Sequence, residues 1–318
     1  MPSNDPRPTK AQRQADARAR AAEIRRQQEN AQKRNRFLAI GGAILAVVVI
    51  VGAVAFVLVQ NRQNATTYGS VAFGGVDSDN SALVAPALAD VKAPSTADAS
   101  GGIPVSSAGV GKTTDGDTVL QVYFDMQCPV CQQFDSINSG DLQALAQEPG
   151  ITVLYQPLSF LDDKSSGTHY SNRAANALMT VADQDPEHFE AFMTALFKNQ
   201  PAENSHGITD DQIASIATGV GVPQAVTDQF TTVTGGTYQV KDASGNTSDK
   251  TGNWRTFAPF IAAATAHAAT LPAFPNGIGT HTLVLNGTVI GNGGSDGVNW
   301  TQSGSLKSAV EAAAAAKG

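Results

Sequence analysis

The chain has 318 residues, of which 42% are hydrophobic, and a formal net charge of −7 at pH 7. This length leaves room for one or two domains, and the apolar fraction is ordinary for a globular protein. The sequence contains two cysteines, which excludes a cysteine framework as the main support of the fold.

The charge is distributed unevenly along the chain. Residues 1–36 carry ten Lys or Arg and four Asp or Glu, whereas the remainder carries 11 basic and 24 acidic residues. A basic segment can indicate nucleic-acid binding, but no aromatic residues are interleaved with these charges. The membrane topology described next is a sufficient explanation, so we predict a basic cytoplasmic tail and no nucleic-acid partner.

Residues 37–59, FLAIGGAILAVVVIVGAVAFVLV, contain no charged residue. A helix of this length is about 34 Å long, which is enough for the hydrocarbon core of a bilayer. A cleaved signal peptide would have a shorter apolar run, of about 7–15 residues, followed by a small-residue cleavage site. We therefore predict an uncleaved transmembrane helix over residues 37–59.

Positive residues next to a span remain in the cytoplasm, so residues 1–36 are predicted inside and residues 60–318 outside the cell membrane. Residues 60–100 are rich in Ala, Ser, Asp and Gly and contain Pro86 and Pro94. This composition predicts a flexible extracytoplasmic linker, with a short strand or helix near 81–91.

Regular patterns begin near Gly101. The β-branched and aromatic run Thr118–Phe124 predicts a buried strand, and the stretch after Cys128 predicts a helix to about Gln147. Residues Ile151–Leu158 predict a second strand. These three elements form a β-α-β unit, which predicts an α/β domain over residues 101–318.

A helical block follows, and we predict that it forms an insertion over about residues 165–270. Its predicted helices are His169–Gln184, Glu187–Asn199, Asp210–Thr218, Pro223–Thr232 and Trp254–Thr270, with a loop containing TGGTY and DASGNTSDKTGN before the last one. In the following segment, Asn286-Gly287 between two apolar runs predicts a β-hairpin. The alanine-rich segment Ser303–Ala316 predicts a final helix.

The two cysteines lie in Cys128-Pro129-Val130-Cys131, directly after the first predicted strand. At a helix start, residues i and i+3 lie on one face, and the unpaired N–H groups and the helix dipole favour an anion at the first cysteine. The pKa of such a thiol falls below the free value of about 8.5. We therefore predict that Cys128 is a nucleophile and Cys131 the buried partner that resolves it.

Two structural interpretations of the motif are weaker. A disulfide that closes a four-residue loop contributes only about 2 kcal/mol in the chain-entropy model, against nearly 5 kcal/mol for a loop of about 100 residues. A structural zinc site needs four ligands, and the chain has no second cysteine pair.

The stretch YFDMQCPVCQQF, together with the helical insertion and GTHTLVLNG (Gly279–Gly287), resembles the DsbA-like thioredoxin-fold proteins. The resemblance covers about Gly101 to the C-terminus. It implies a thioredoxin-like fold with an inserted helical domain, a redox-active Cys128–Cys131 disulfide and thiol–disulfide exchange on exported proteins. It also implies supporting positions at Pro129, Val130, Asp125, Thr280 and His281.

The chain departs from the family pattern at two positions. His281 occupies the place where the family has a cis-proline; because a non-proline cis bond costs about 3–4 kcal/mol, we expect a trans peptide and an altered groove here. Val130 stands where the strongest oxidants of the family have a histidine, which implies a less oxidising couple. His281 could line the groove without a special role, interact with the Cys128 thiolate, or complete a metal site with Cys128 and Cys131.

The predicted function is that of a membrane-tethered, extracytoplasmic protein-disulfide oxidoreductase, without a cofactor, that forms disulfides in reduced or unfolded exported proteins. A quinone-linked membrane protein is the expected reoxidising partner. The alternatives are a disulfide isomerase or reductase, and a non-enzymatic binding or metal-handling domain that uses Cys128, Cys131 and His281.

Overall fold

The computed structural model describes residues 10, 18, 23, 26, 49–56, 58–59, 73, 82–272, 274, 277, 279–291 and 297–317. The chain divides into two compact units, Met1–Arg62 and Gln63–Gly318. In the first unit the described residues are helical. No helix within the described part of the chain has both the length and the apolar character needed to cross a membrane. Residues 37–48 and 57 of the predicted span lie outside the described residues.

The second unit contains two sheets and seven α-helices among the described residues. Its strands are β1 (Ala82–Leu83), β2 (Ile103–Ser106), β3 (Gly109–Val110), β4 (Thr118–Asp125), β5 (Ile151–Leu158), β6 (Val233–Lys241), β7 (Thr247–Arg255), β8 (Thr282–Leu285) and β9 (Thr288–Ile290). Its helices are α1 (Pro129–Gln147), α2 (Tyr170–Gln184), α3 (Phe189–Lys198), α4 (Asp210–Gly219), α5 (Gln224–Thr227), α6 (Ala258–Ala268) and α7 (Ser305–Ala315). Three 3₁₀ turns lie at Leu88–Asp90, Asp162–Ser165 and Pro186–His188.

The main sheet has six strands in the order β3-β2-β5-β4-β8-β9. Strands β4 and β5 are parallel and the other neighbours are antiparallel. Successive side chains of a strand point to opposite faces, and β4 follows this rule. Val122 and Phe124 belong to the large core cluster with residues of α1 and α7, whereas Tyr123 packs in a second cluster with Ala268 of α6. Helices therefore cover both faces of the sheet.

The predicted β-α-β unit and the terminal β-β-α unit are confirmed in this sheet. The predicted strand over Ile151–Leu158 is observed with those bounds. The predicted Asn286-Gly287 hairpin joins β8 to β9, with φ values of 48° and 85° at the two turn residues. Positive φ at both central residues is the conformation for which Asn-Gly is favoured.

The insertion between β5 and β8 is not purely helical, which corrects one prediction. Residues expected to form a loop instead form strands β6 and β7, which make a separate three-stranded sheet in which β6 lies between β1 and β7. Most residues of this hairpin are exposed on both faces, so its sequence lacks the alternation of apolar and polar residues that marks a half-buried strand. The strands are instead defined by their pairing, from Val233 opposite Arg255 to Lys241 opposite Thr247.

Two predicted helices differ in their bounds. The helix predicted to begin at Trp254 begins at Ala258, because Trp254 and Arg255 complete β7. The helix predicted over Pro223–Thr232 shortens to α5. Part of the predicted flexible linker is also packed on the insertion: β1 pairs with β6, and the Thr96 hydroxyl donates to the carbonyl of Ala182 in α2.

Candidate active site

The cysteine motif lies where β4 ends and α1 begins. The backbone N–H of Cys128 donates to the carbonyl of Asp125, the last residue of the strand, at 3.0 Å. Cys128 is the N-cap of α1 with extended backbone angles, and Pro129 occupies the first turn of the helix. Proline is tolerated in this turn because its missing N–H would have no helical partner. The predicted placement of Cys128 at a helix start is therefore observed.

The two cysteines are free thiols in contact with each other. The N–H of Cys131 donates to Cys128 Sγ at 3.4 Å, and Cys128 Sγ lies 3.4 Å from the carbonyl oxygen of Thr280. Hydrogen bonding from the Cys131 thiol lowers the pKa of Cys128 to about 6, against the opposing effect of desolvation; the N–H groups of Cys131 and Val130 assist. Cys128 is therefore largely a thiolate at pH 7.

Cys131 has the opposite environment. Its side chain is 1% exposed. Burial raises the pKa of this thiol, and hydrogen bonding to Cys128 and the negative charge of Cys128 act in the same direction. Val130, which lies between the two cysteines in the sequence, is 43% exposed, so the motif lies next to the protein surface. Cys128 itself is 4% exposed, so the arrangement joins one ionised thiol to one protonated thiol just beneath the protein surface.

The peptide bond between Thr280 and His281 is cis, which corrects the expectation of a trans bond. The local preference of a non-proline residue favours a trans bond, whereas both residues make long-range contacts at the start of α1. The Thr280 carbonyl lies against Cys128 Sγ, and the imidazole of His281 stacks on Phe134 with ring centroids 4.6 Å apart.

His281 packs between aromatic rings rather than pairing with the thiolate. Its ring also contacts Trp300 edge to face at 4.4 Å, and its Nδ1 is buried without a hydrogen-bond partner. Burial lowers the pKa of His281 to about 4, so the ring is neutral at pH 7. These contacts match the interpretation of a groove-lining histidine.

The ligand atoms of the alternative metal site do not lie close together. Among the described residues, Cys128, Cys131 and His281 do not bring one ligand atom each within 4.8 Å of one another. The grouping that meets this distance is Asp185, Glu187 and His188, at the start of α3, where His188 Nδ1 already pairs with Asp185 at 2.9 Å.

Asp125 is fully buried beneath the motif. Its carboxylate accepts hydrogen bonds from the N–H of Gln127 at 2.8 Å, the N–H of Leu161 at 3.0 Å and the hydroxyl of Ser171. Desolvation raises the pKa of Asp125 to about 7, although these hydrogen bonds act against the shift. The carboxylate thus ties the turn before Cys128 to the loop after β5 and to α2.

Two residues of the insertion that touch this turn carry no signal in the sequence. Ser171 of α2 binds Asp125, and Gln200, after α3, donates to the carbonyls of Met126 and Cys128 at 2.8 and 3.0 Å. Serine and glutamine occur throughout the chain, and neither position lies in a motif. No local signal distinguishes them, because their role depends on contacts across about 46 and 72 residues of sequence.

Part of the chain matches a known protein family. The family model described as thioredoxin matches residues 109–274, just over half of the chain. The serine/threonine-protein kinase PknE of Mycobacterium tuberculosis is 35% identical over 114 residues, which are 34% of this chain and 20% of the kinase. The chain thus spans about a fifth of the length of the curated relatives that it matches.

Solved structures of similar proteins include two thiol–disulfide enzymes. DsbA from Mycobacterium tuberculosis in its reduced form is 22% identical, with a TM-score of 0.46, and the match covers 68% of this chain and 99% of that chain. MdbA, a thiol-disulfide oxidoreductase from Actinomyces oris, is 18% identical, with a TM-score of 0.49, and the match covers 71% of this chain and 99% of that chain.

The observed topology agrees with the family match. The thioredoxin-like fold has two halves. One half contains strand β4, helix α1 and strand β5, and the other contains β8, β9 and α7. The two cysteines lie at the junction of β4 and α1, within the matched residues. The chain therefore belongs to the thioredoxin family.

Proposed function

We propose that this chain is a protein-disulfide oxidoreductase whose active couple is Cys128 and Cys131. The observation that carries the proposal is the asymmetry of the two thiols. Cys128 has a pKa lowered to about 6 at the N-cap of α1, whereas burial raises the pKa of Cys131. Thiol–disulfide exchange requires one ionised sulfur within bonding range of a second sulfur, and this pair supplies both.

In the oxidising direction, the starting state is the Cys128–Cys131 disulfide. A thiolate of the substrate attacks Cys128 Sγ, the S–S bond breaks, and Cys131 leaves and takes up a proton. A second substrate thiolate then attacks the substrate sulfur of the mixed disulfide and releases Cys128 as a thiolate. The substrate loses two electrons and gains a disulfide, and the couple gains the two electrons.

The lowered pKa of Cys128 favours this direction. A leaving thiol with a low pKa departs faster, and stabilisation of the thiolate stabilises the reduced form of the couple, which makes the disulfide a stronger oxidant. The apolar Val130 contributes its backbone N–H rather than an imidazole to the thiolate. We therefore propose an oxidase, with isomerase or reductase activity as the alternative.

The direction is tested by the reduction potential of the Cys128/Cys131 couple, measured by equilibration with glutathione buffers. A value near about −120 mV supports an oxidase, and a value near about −270 mV supports a reductase. An intermediate value near about −180 mV, with reshuffling of mispaired disulfides, supports an isomerase.

Activity is tested on a reduced, unfolded protein with a small-molecule oxidant. We expect Cys128→Ser to abolish oxidation of the substrate, because the disulfide can no longer form and the remaining sulfur, that of Cys131, is buried and protonated. Cys131→Ser should retain the reactive thiol but accumulate mixed disulfide with the substrate. If Cys128→Ser oxidises the substrate as fast as the wild type, the proposed function is wrong.

We further propose that the oxidoreductase domain is tethered outside the cell membrane through residues 37–59 and acts on exported proteins. The charge-free segment and the basic residues before it support this topology. The reduced couple needs an electron acceptor, for which we propose a quinone-linked membrane protein. Fractionation of cells that express the full chain or a chain starting at residue 60 tests the anchor: only the full chain should sediment with membranes.

A further inference from the structure

Three glutamines connect the cysteine motif to the end of α3. Gln127 donates to the carbonyls of Pro201 and Ala202, both at 3.3 Å, and Gln132 donates to the carbonyl of Phe197 at 2.9 Å. In the opposite direction, Gln200 donates to the carbonyls of Met126 and Cys128. We call Gln127, Gln132 and Gln200 the glutamine clasp. All five hydrogen bonds run from a side-chain amide N–H to a backbone carbonyl.

Gln200 is the member of the clasp whose side chain hydrogen-bonds to the nucleophilic residue. A side-chain amide nitrogen carries two hydrogens. In Gln200 these two donors are matched by two acceptors, Met126 O at 2.8 Å and Cys128 O at 3.0 Å. The side chain therefore spans the turn between β4 and α1 and holds the backbone on both sides of Gln127.

The backbone of Cys128 determines where its sulfur lies. Cys128 has φ of −78° and ψ of 116°, and in this conformation its sulfur accepts the N–H of Cys131 and lies next to Thr280. A rotation about ψ of Cys128 would reorient its carbonyl, to which Gln200 is bonded. The same carbonyl accepts the helical N–H of Gln132 at 3.2 Å, so Gln200 adds to the restraint on the torsion that keeps the sulfur at the start of α1.

We propose that Gln200, supplied by the insertion, is a positioning residue that holds Cys128 in the conformation in which its sulfur receives the N–H groups of α1. This inference rests on the proposed function, because it assigns a role within the same redox site. It also gives the insertion a role in setting the reactivity of the couple, in addition to covering the sheet.

The test compares Gln200→Leu, Gln200→Lys and Gln133→Leu in the full chain, purified in detergent. Leucine has a similar length but no donor, and lysine keeps donors at the same position. Gln133 is exposed on α1 and makes no hydrogen bond with the motif among the described contacts, so it is the matched control. The measurement is the rate of Cys128 alkylation by iodoacetamide against pH, with the modified cysteine identified by mass spectrometry.

We expect Gln200→Leu to raise the pKa of Cys128. A rise of about one unit from about 6 would reduce the thiolate fraction at pH 6, and with it the alkylation rate, about fivefold. The reduction potential of the couple should become more negative, because the thiolate of the reduced form is less stabilised. Gln200→Lys should retain at least the wild-type rate, and Gln133→Leu should match the wild type.

A Gln200→Leu protein that folds and keeps the wild-type alkylation profile and potential would overturn the inference. If Gln200→Leu does not fold, the result for Gln200→Lys decides. A fivefold lower alkylation rate of Cys128 at pH 6, despite the retained N–H donors, would also overturn the inference. Failure of the proposed function is a separate result, since in that case the wild type itself would show an unreactive Cys128 and no oxidation of a reduced substrate.

Discussion

Individual residues at the site differ mainly in how burial acts on their charge. Cys128 keeps its charge because the Cys131 thiol and, to a lesser extent, the N–H groups at the start of α1 hydrogen-bond to its sulfur, whereas Asp125, Cys131 and His281 lie in surroundings that favour their neutral forms. Desolvation always disfavours the charged form, so it raises the pKa of an acid or thiol and lowers that of a histidine. The site therefore concentrates negative charge on one sulfur.

Replacement of Asp125 by Asn should change how stability depends on pH. Because the pKa of Asp125 is raised to about 7, the folded state holds its proton more tightly than the unfolded state, whose pKa is near 4. The contribution of this proton to the free energy of unfolding is full below pH about 4 and is lost as the pH rises to about 7. For a shift of about three units the change is at most roughly 4 kcal/mol.

Urea denaturation of the wild type and of Asp125→Asn between pH 4 and 8 provides the measurement. The difference between their free energies of unfolding should change across this interval and level off above pH 7. Asp163→Asn, at a position that is 55% exposed, is the control and should show little change. A difference for Asp125→Asn that is independent of pH would contradict the prediction.

His281 should remain neutral down to about pH 4. Its pKa is lowered by burial, so the unfolded state binds a proton more readily, and stability is lost as the pH falls from about 6.5 through 4. Titration of the imidazole carbon-bound protons by NMR should give a midpoint near pH 4, with the resonance assigned from its absence in His281→Phe. A midpoint above pH 6 would show that the ring is not desolvated as described.

At the scale of elements, helices α1 and α4 both begin with a side chain that caps the first turn. Helix α1 uses Cys128 as its N-cap, so the group that satisfies an N–H of the helix is also the reactive sulfur. Helix α4 uses an ordinary capping box, in which Thr209 Oγ1 accepts the N–H of Gln212 and Gln212 Oε1 accepts the N–H of Thr209. In both helices a side chain accepts an N–H group that has no partner within the helix. In α4 the acceptor is a structural residue, and in α1 it is the nucleophile.

Substitution of Thr209 by Ala removes one half of this capping box. We expect the free energy of unfolding to fall by about 1 kcal/mol, which is typical for loss of an N-cap side chain. The oxidation activity should not change, because α4 does not contact the motif. Thr232→Ala, at an exposed position without a described side-chain hydrogen bond, is the control for urea denaturation. Equal stability of the two variants would show that the box does not support the helix.

At the scale of the whole molecule, the insertion is joined internally by a buried ion network. Asp210 of α4 pairs with Arg173 of α2 at 2.8 Å and with Arg255 of β7 at 2.7 Å. Both arginines are almost fully buried. Removal of the shared carboxylate would leave two buried positive charges next to each other without their common partner.

Asp210→Asn should therefore destabilise the protein by about 3–5 kcal/mol, the range for breaking a buried pair by removal of one partner. The neighbouring Asp211→Asn is the matched control, because Asp211 is exposed and its side chain has no described hydrogen bond. Thermal unfolding of both variants at pH 7 provides the measurement. If the two variants have the same midpoint, the network does not hold the insertion together.

The sequence predicted the elements whose signals are local. Hydrophobic runs, a proline in the first helical turn and Asn-Gly each act within a few residues, so they predict strand β5, helix α1 and the β8–β9 hairpin. The placement of Cys128 before α1 follows from the same local rules. The sequence does not predict the hairpin β6–β7, because its exposed faces carry no hydrophobic alternation.

By itself, the sequence determined the cysteine couple, its position between strand and helix, and the order of the two β units around an insertion. Only the tertiary structure decided the conformation at Thr280–His281, the aromatic packing of His281 and the contacts of Ser171 and Gln200 with the turn before α1. The physical reason is range: helix starts and tight turns depend on neighbouring residues, whereas these contacts join segments separated by tens of residues or more. Their free energy exists only once the chain has folded and brought those segments together.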